Sequence, residues 1–241
     1  MTLTDDQRYI RQQMLPQIGP RGQEALARAC VLIAGVGGLG SISAMYLAAA
    51  GVGHLVIADG DTLEISNLNR QIIHSELFLG KLKVDSAVRR LKDLNSTVRV
   101  TPVPEKLTHA TIDSILNGVN MIVDGCDTYE TRQVLNRASI RHHLPFVYGG
   151  VNGFDGMVST FMPGNSPCFE CVISKTTPQD TPVGVIGPAA GMTASLQAME
   201  TIKVLLGIGT PLESRLLRIT GLDMRVQCLG LTPNPDCLVC C

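Results

Sequence analysis

A glycine loop between two apolar runs constrains this chain more than any other feature. Gly35-Val36-Gly37-Gly38-Leu39-Gly40 follows at once on Cys30–Ala34 (CVLIA) and leads into the small and apolar residues Ser41–Ala50. The first run is short and β-branched, as a buried strand is, and the second reads as a buried helix. Gly51 stops that helix, and His54–Ala58 (HLVIA) reads as another buried strand, ending at Asp59. Strand, tight turn, helix and strand in this order make a βαβ unit, with parallel strands and a right-handed crossover. A helix N-terminus offers unpaired N–H groups and a partial positive charge, so it attracts phosphate. Gly35, Gly37, Gly38 and Gly40 let the backbone approach such a ligand, and Asp59 is placed for ribose hydroxyls. The same glycines would also serve close helix–strand packing.

The alternation continues. An amphipathic helix is expected from Val84, Ala87, Val88, Leu91 and Leu94, then a strand over 98–103 and a short helix over 112–116. Met121-Ile122-Val123 reads as a third buried strand, followed by a helix over about 129–142 and a strand over 145–148. After Gly150 the pattern is less regular: a strand over 157–162, a helix over 194–206 and two strands within 215–229. Ahead of the first strand, Thr4 to Gln7 resembles a capping box opening a helix with Arg8, Tyr9 and Arg11, and a second helix follows Pro20. The fold class is α/β, one domain over residues 1–241.

Apolar residues make up 45% of the chain, enough for a large core, while aromatics are 4% with no Trp, so an aliphatic core is expected. Lys and Arg number 20 against 21 Asp and Glu, which lacks the basic excess of a nucleic-acid-binding surface. Residues 1–12 are polar, without the apolar stretch of a signal peptide, and Gly51, Gly53 and His54 break the longest apolar run. A cytoplasmic protein with no membrane partner is the expectation.

The polar segment after Asp59 holds Ser66, Asn67, Arg70 and Gln71, and then Lys83. These phosphate-capable groups suggest a triphosphate handled at its α-phosphate. Among eight cysteines, Cys168-x-x-Cys171 and Cys237-x-x-Cys240 supply four thiolates suited to a closed tetrahedral Zn²⁺ site, with Cys241 an alternative to Cys240. Cys30 and Cys126 adjoin buried strands and read as packing residues. The five histidines suggest no catalytic set, only surface or satisfied positions.

With these motifs in place the sequence resembles the MoeB/ThiF/HesA family, bacterial relatives of ubiquitin-activating enzymes, and within it the MoeB type. The likeness spans nearly the whole chain: Arg8 to Gln12, Gln23 to Leu26, the glycine loop, Ala49 to Gly53, Asp59-Gly60-Asp61, Ser66 to Gln71, Gly80 to Lys83, Asp124 to Asp127, both cysteine pairs and Ser195 to Glu200. It implies a Rossmann-like nucleotide-binding fold with a mixed, mostly parallel sheet and a zinc-tied C-terminal region. Residues 1–30 would be N-terminal helices, 31–150 the nucleotide-binding half and 151–241 the partner-binding half.

The implied activity is adenylylation, with ATP, of the C-terminal glycine carboxylate of a small ubiquitin-like sulfur-carrier protein (MoaD- or ThiS-like, ending in Gly-Gly), releasing pyrophosphate. By the same resemblance Gly38, Asp59, Asp61 and Thr128 join the nucleotide site, and Asn67, Arg70 and Lys83 meet its phosphates. Asp127 would help hold Mg²⁺, and Arg11 would reach the partner's active site in a homodimer. Some relatives carry a further cysteine in the crossover segment, where this chain has Asp180 and no cysteine between Lys175 and Met192. Adenylylation without a thioester step on this chain is therefore expected, with no rhodanese domain after Cys241. Other readings are a tRNA threonylcarbamoyladenosine dehydratase-like enzyme, a zinc-bearing NAD(H) oxidoreductase and a non-catalytic scaffold.

Overall fold

The computed structural model describes residues 5–173 and 184–240. Helices α1 (Asp5–Arg8), α2 (Ile10–Gln13) and α3 (Gly19–Arg28) lead into β1 (Cys30–Ala34), α4 (Gly38–Ala50) and β2 (His54–Ala58). A loop with two 3-10 turns, Ile65–Asn67 and Glu76–Phe78, precedes α5 (Lys83–Leu94), β3 (Arg99–Val103) and α6 (Ile112–Ile115). Then come β4 (Met121–Asp124), α7 (Tyr129–His142), β5 (Phe146–Asn152) and β6 (Asp155–Phe161). The last elements are α8 (Phe169–Val172), α9 (Gly187–Leu206), β7 (Arg215–Thr220) and β8 (Arg225–Gly230).

One sheet of eight strands runs β3-β2-β1-β4-β5-β6-β7-β8. The five strands from β3 to β5 are parallel, and β6, β7 and β8 are antiparallel to their neighbours, giving the mixed sheet the resemblance implied. Side chains alternate across β1: Val31 and Ile33 join a core with α3, α4, α5 and α9, while Leu32 and Ala34 join one with α6, α7 and α8. Burial on both faces is why β1 reads as an unbroken apolar run. No described helix is long and apolar enough to cross a membrane.

Four features depart from the sequence reading. The first helix is two short ones, because Tyr9 turns inward and its hydroxyl accepts a hydrogen bond from Asn95 Nδ2 at 2.8 Å; the expected cap, Thr4, lies outside the described residues. Strand β5 continues through Gly149 and Gly150, and α9 starts at Gly187 rather than Ala194. The core is not purely aliphatic. Phe146, Phe161 and Phe169 pack with Tyr129 and Tyr148 at ring separations of 5.4–6.5 Å, one aromatic cluster on the α7–α8 side of the sheet.

Candidate active site

Strand order reverses direction between β1 and β4, so their carboxyl ends open a crevice, the usual ligand position in such sheets. The loops after these strands touch: a Cβ on Gly35 would meet the Gly125 carbonyl oxygen at 2.7 Å. Gly35 also has φ of +92°, a conformation that side chains rarely adopt. Helix α4 starts at this crevice with no acidic residue in its first turn and no side-chain cap. Its leading N–H groups are left for an anion.

Asp59 ends β2 and braces the loop. Its Oδ2 accepts from the Val36 N–H at 2.9 Å and its Oδ1 from the Asp61 N–H at 2.9 Å. A carboxylate has about four acceptor positions, so room remains for ribose hydroxyls. On the opposite side of Val36, His74 Nε2 donates to the Val36 carbonyl at 3.0 Å, and Ser41 Oγ donates to the same oxygen at 3.1 Å.

The 61–83 segment brings cations to this end of the sheet. Asn67 closes a capping box with Glu64, accepting the Glu64 N–H at 3.1 Å, and Ser66 Oγ donates to Glu64 at 3.2 Å. Arg70 Nη1 donates to the Ser66 carbonyl and to Asn69 Oδ1, which holds its stem beside Gly38, while Gln71 lies beside Gly37. Lys83 opens α5; its side chain is only 9% exposed and its Nζ is 2.9 Å from Asp61 Oδ2. The expectation of a cation in the site thus meets a nearly buried lysine whose present partner is a half-exposed carboxylate.

Beyond β4, Asp127 and Thr128 stand on the loop into α7. Asp127 is exposed, and Thr128 caps α7, accepting the Thr131 N–H. That loop is anchored from below. Arg132 Nε donates to Asp124 Oδ2 at 2.8 Å, its Nη2 reaches the carbonyls of Cys126 and Gly149, and its guanidinium lies 5.2 Å from the Tyr148 ring centre. Burial raises the Asp124 carboxyl above the ordinary carboxylate range against the pull of Arg132, and Asp124 keeps the guanidinium firmly charged. The sequence reading overlooked Arg132, whose partner lies on another element.

Arg11 stands apart from these groups. It is exposed on α2, whose Gln12 Nε2 donates to the Ala50 carbonyl at the far end of α4. Thirteen helical residues, roughly 20 Å, separate that end from the glycine loop.

The four cysteines do meet. Cys168, Cys171, Cys237 and Cys240 have all their Sγ atoms within 4.8 Å of one another, with Cys171–Cys240 at 3.3 Å, Cys168–Cys237 at 3.7 Å and Cys168–Cys171 at 3.8 Å. A tetrahedral Zn²⁺ at about 2.3 Å from each sulfur needs sulfurs about 3.8 Å apart, so the set fits that ion. Cys240 supplies the fourth thiol; Cys241, like Asp180, lies outside the described residues. Burial pushes the Cys168 thiol up to about 11. At Cys237 burial is outweighed by the N–H groups of Val239 and Cys240, which bring it down to about 7. Glu170, between the first two cysteines, accepts from Gln133, Asn136 and Arg137 and fastens the cluster to α7. Cys30 and Cys126 are packing residues as expected: Cys30 meets His54 Nδ1 at 3.2 Å, and Cys126 donates to the Ala34 carbonyl.

Comparison with known proteins agrees with this architecture. A sulfur carrier protein adenylyltransferase of Thermus thermophilus is 40% identical over 97% of this chain and 90% of its own length. The SAMP-activating enzyme E1 of Haloferax volcanii is 36% identical over the whole chain and 92% of its own. Among solved structures, Escherichia coli MccB with ATP superimposes with a TM-score of 0.86 at 24% identity, covering 100% of this chain and 75% of that one, a likeness of fold. The ThiF family model matches residues 9–239, and the chain belongs to the ThiF family.

Proposed function

We propose that this chain is an adenylyltransferase that uses ATP to activate the C-terminal glycine carboxylate of a small ubiquitin-like sulfur-carrier protein ending in Gly-Gly. A carboxylate oxygen attacks the α-phosphorus, the bond to the β-phosphate oxygen breaks, and pyrophosphate leaves as the acyl-adenylate forms. The attacking group is already ionised near neutral pH, so no protein base is needed. The obstacle is repulsion between two anions, which cations and alignment overcome.

The observation that carries the reading is the gathering at one end of the sheet of an uncapped helix N-terminus, Arg70, the nearly buried Lys83 and the ribose-type acid Asp59. The two relatives above, one a sulfur carrier protein adenylyltransferase and the other a SAMP-activating enzyme, point the same way. In this reading Gly38 and the leading N–H groups of α4 take phosphate, and Arg70 and Lys83 face the α-phosphate and pyrophosphate. Asp127, exposed on the loop between β4 and α7, helps hold Mg²⁺. Zn²⁺ in the cysteine cluster serves structure, since four thiolates leave no open position. No thioester forms on this chain, which lacks a cysteine between Lys175 and Met192.

The reading includes a homodimer in which Arg11 serves the partner's site. Its support is the position of Arg11 at the wrong end of α4 for its own site, and the exposure of Ile10, Met14, Leu15, Tyr46 and Met199. The test is isotope exchange between pyrophosphate and ATP with purified Gly-Gly-tailed carriers. Exchange stimulated by a carrier is expected; ATP bound without exchange for every carrier offered would remove the reading.

A further inference from the structure

His74 is the one histidine that neither faces solvent nor has both ring nitrogens bonded within the core. It is 8% exposed, its Nε2 meets the Val36 carbonyl at 3.0 Å, and its Nδ1 is buried without a hydrogen-bond partner among the described residues. A carbonyl can only accept, so the Nε2 must carry the proton. Val36 is thereby held at both of its backbone polar groups, its N–H by Asp59 Oδ2 and its carbonyl by His74, with Ser41 adding a second donor. Val36 is fully buried and lies between Gly35 and Gly37, so whatever fixes its two peptide planes fixes the loop.

We propose that His74 is a positioning residue for the nucleotide, acting through the Val36 carbonyl as a neutral Nε2–H imidazole that sets the glycine loop before ATP arrives. The role of the loop rests on the adenylylation reading above. Three features favour the neutral ring. Burial, the largest influence, holds the imidazole below its usual range despite the Val36 carbonyl and Asp59, which favour the charged ring; Lys83 from α5 opposes a second positive charge; and a proton on Nδ1 would be a buried donor with no acceptor. The expectation that every histidine is at the surface or satisfied fails at His74, which is buried with Nδ1 unpartnered, because no spacing rule links it to a loop thirty-odd residues earlier.

The experiment combines a spectroscopic and a binding measurement on the full chain. Long-range proton–nitrogen NMR of histidine side chains, with His74 assigned by its loss in His74→Gln, is expected to give protonated Nε2 and bare Nδ1 at pH 7. Calorimetric ATP titration without carrier is expected to show His74→Leu weakened about tenfold, since one buried acceptor loses a donor. His74→Gln, whose amide restores a donor at similar reach, should bind within about twofold of the wild type, and kcat at saturating ATP should move less than KM in both. An Nδ1–H tautomer or an imidazolium at pH 7 overturns the proposal, as does a Gln variant no better than Leu. Should the Leu variant fail to fold, His74→Asn, whose shorter amide does not reach Val36, replaces it. Absence of pyrophosphate exchange in a wild type that binds ATP would count against adenylylation alone, because tautomer and ATP affinity are read without turnover.

Discussion

Gly40 offers the sharpest check on how the loop is built. A Cβ there would lie 1.8 Å from the Gly35 carbonyl oxygen and 2.9 Å from its carbon, both backbone atoms. The carbonyl would have to retreat by roughly 1.5 Å to reach an ordinary contact. It has nowhere to go, because the Gly35 N–H is bonded to the Ala58 carbonyl at 2.7 Å and its α-carbon abuts Gly125. Overpacking typically costs 1–3 kcal/mol when side chains can adjust, and here none can. We expect Gly40→Ala to lose about 3 kcal/mol or more, a large share of the 5–15 kcal/mol that holds a domain folded. Gly38→Ala is the contrast, since its Cβ meets only Ala190 Cβ at 3.3 Å and the edge of Arg70. It should keep stability within about 1 kcal/mol and lose ATP affinity, with a methyl group where the phosphate approaches. Urea unfolding followed by circular dichroism measures the first effect and calorimetric ATP titration the second. A Gly40→Ala protein with the wild-type midpoint would refute the packing argument; equal losses of stability in both variants would refute the division of labour.

Lys83→Ala should reduce carrier-stimulated pyrophosphate exchange by about 100- to 1000-fold with the fold intact, and near-normal exchange would take Lys83 out of the mechanism. Arg132→Met leaves the fully buried Asp124 without its cation and should cost about 3–5 kcal/mol. Adding Asp124→Asn should recover part of it, and a single variant as stable as the wild type would contradict the ion pair. Metal analysis should give about one zinc per chain for a four-thiolate site; stripping it should make residues 184–240 cleavable by protease before residues 30–150, and zinc content unchanged in Cys168→Ser would rule the cluster out. His54 and His74 both titrate below the usual imidazole range, chiefly through burial, so the unfolded chain binds protons that the folded one refuses. Stability should therefore be full above pH about 6.5 and fall as pH drops through the folded-state values, and replacing both by Gln should flatten that limb in urea unfolding from pH 5 to 8.

How much of this was legible follows from where each constraint sits. Strands β1 and β2 and helix α7 end where the sequence reading ended them, because buried apolar runs bounded by Gly or Asp, and a Thr cap, are local signals. Strand β5 was cut short at Tyr148, since two glycines in succession ordinarily end a strand. Here a Cβ on Gly149 would collide with the Gln197 amide at 2.5 Å, so that glycine is what α9 demands of the strand beneath it, while a Cβ on Gly150 would meet the Tyr148 hydroxyl at 2.5 Å. The early start of α9 was hidden for a related reason: Gly187, Pro188 and Gly191 are poor helix formers, and it is packing against α4 and the sheet that decides. Among site residues, Asp59, Arg70 and Lys83 stood in a recognisable order, whereas Arg132 and His74 act through a carbonyl or a buried acid that no linear spacing reveals.

The cysteine cluster joins residues 69 positions apart, with β7 and β8 lying between. Such a clasp cannot shut until Cys240 has been synthesised and β7 has laid down beside β6 with β8 beside β7. A nascent chain can thus assemble the crevice early, from residues already to hand, and must wait for its last sulfur to seal the aromatic nest of Phe146, Phe161 and Phe169. In a zinc-starved cell the fragile portion would be this late-closing edge, while the crevice beyond β1 and β4 stayed shaped.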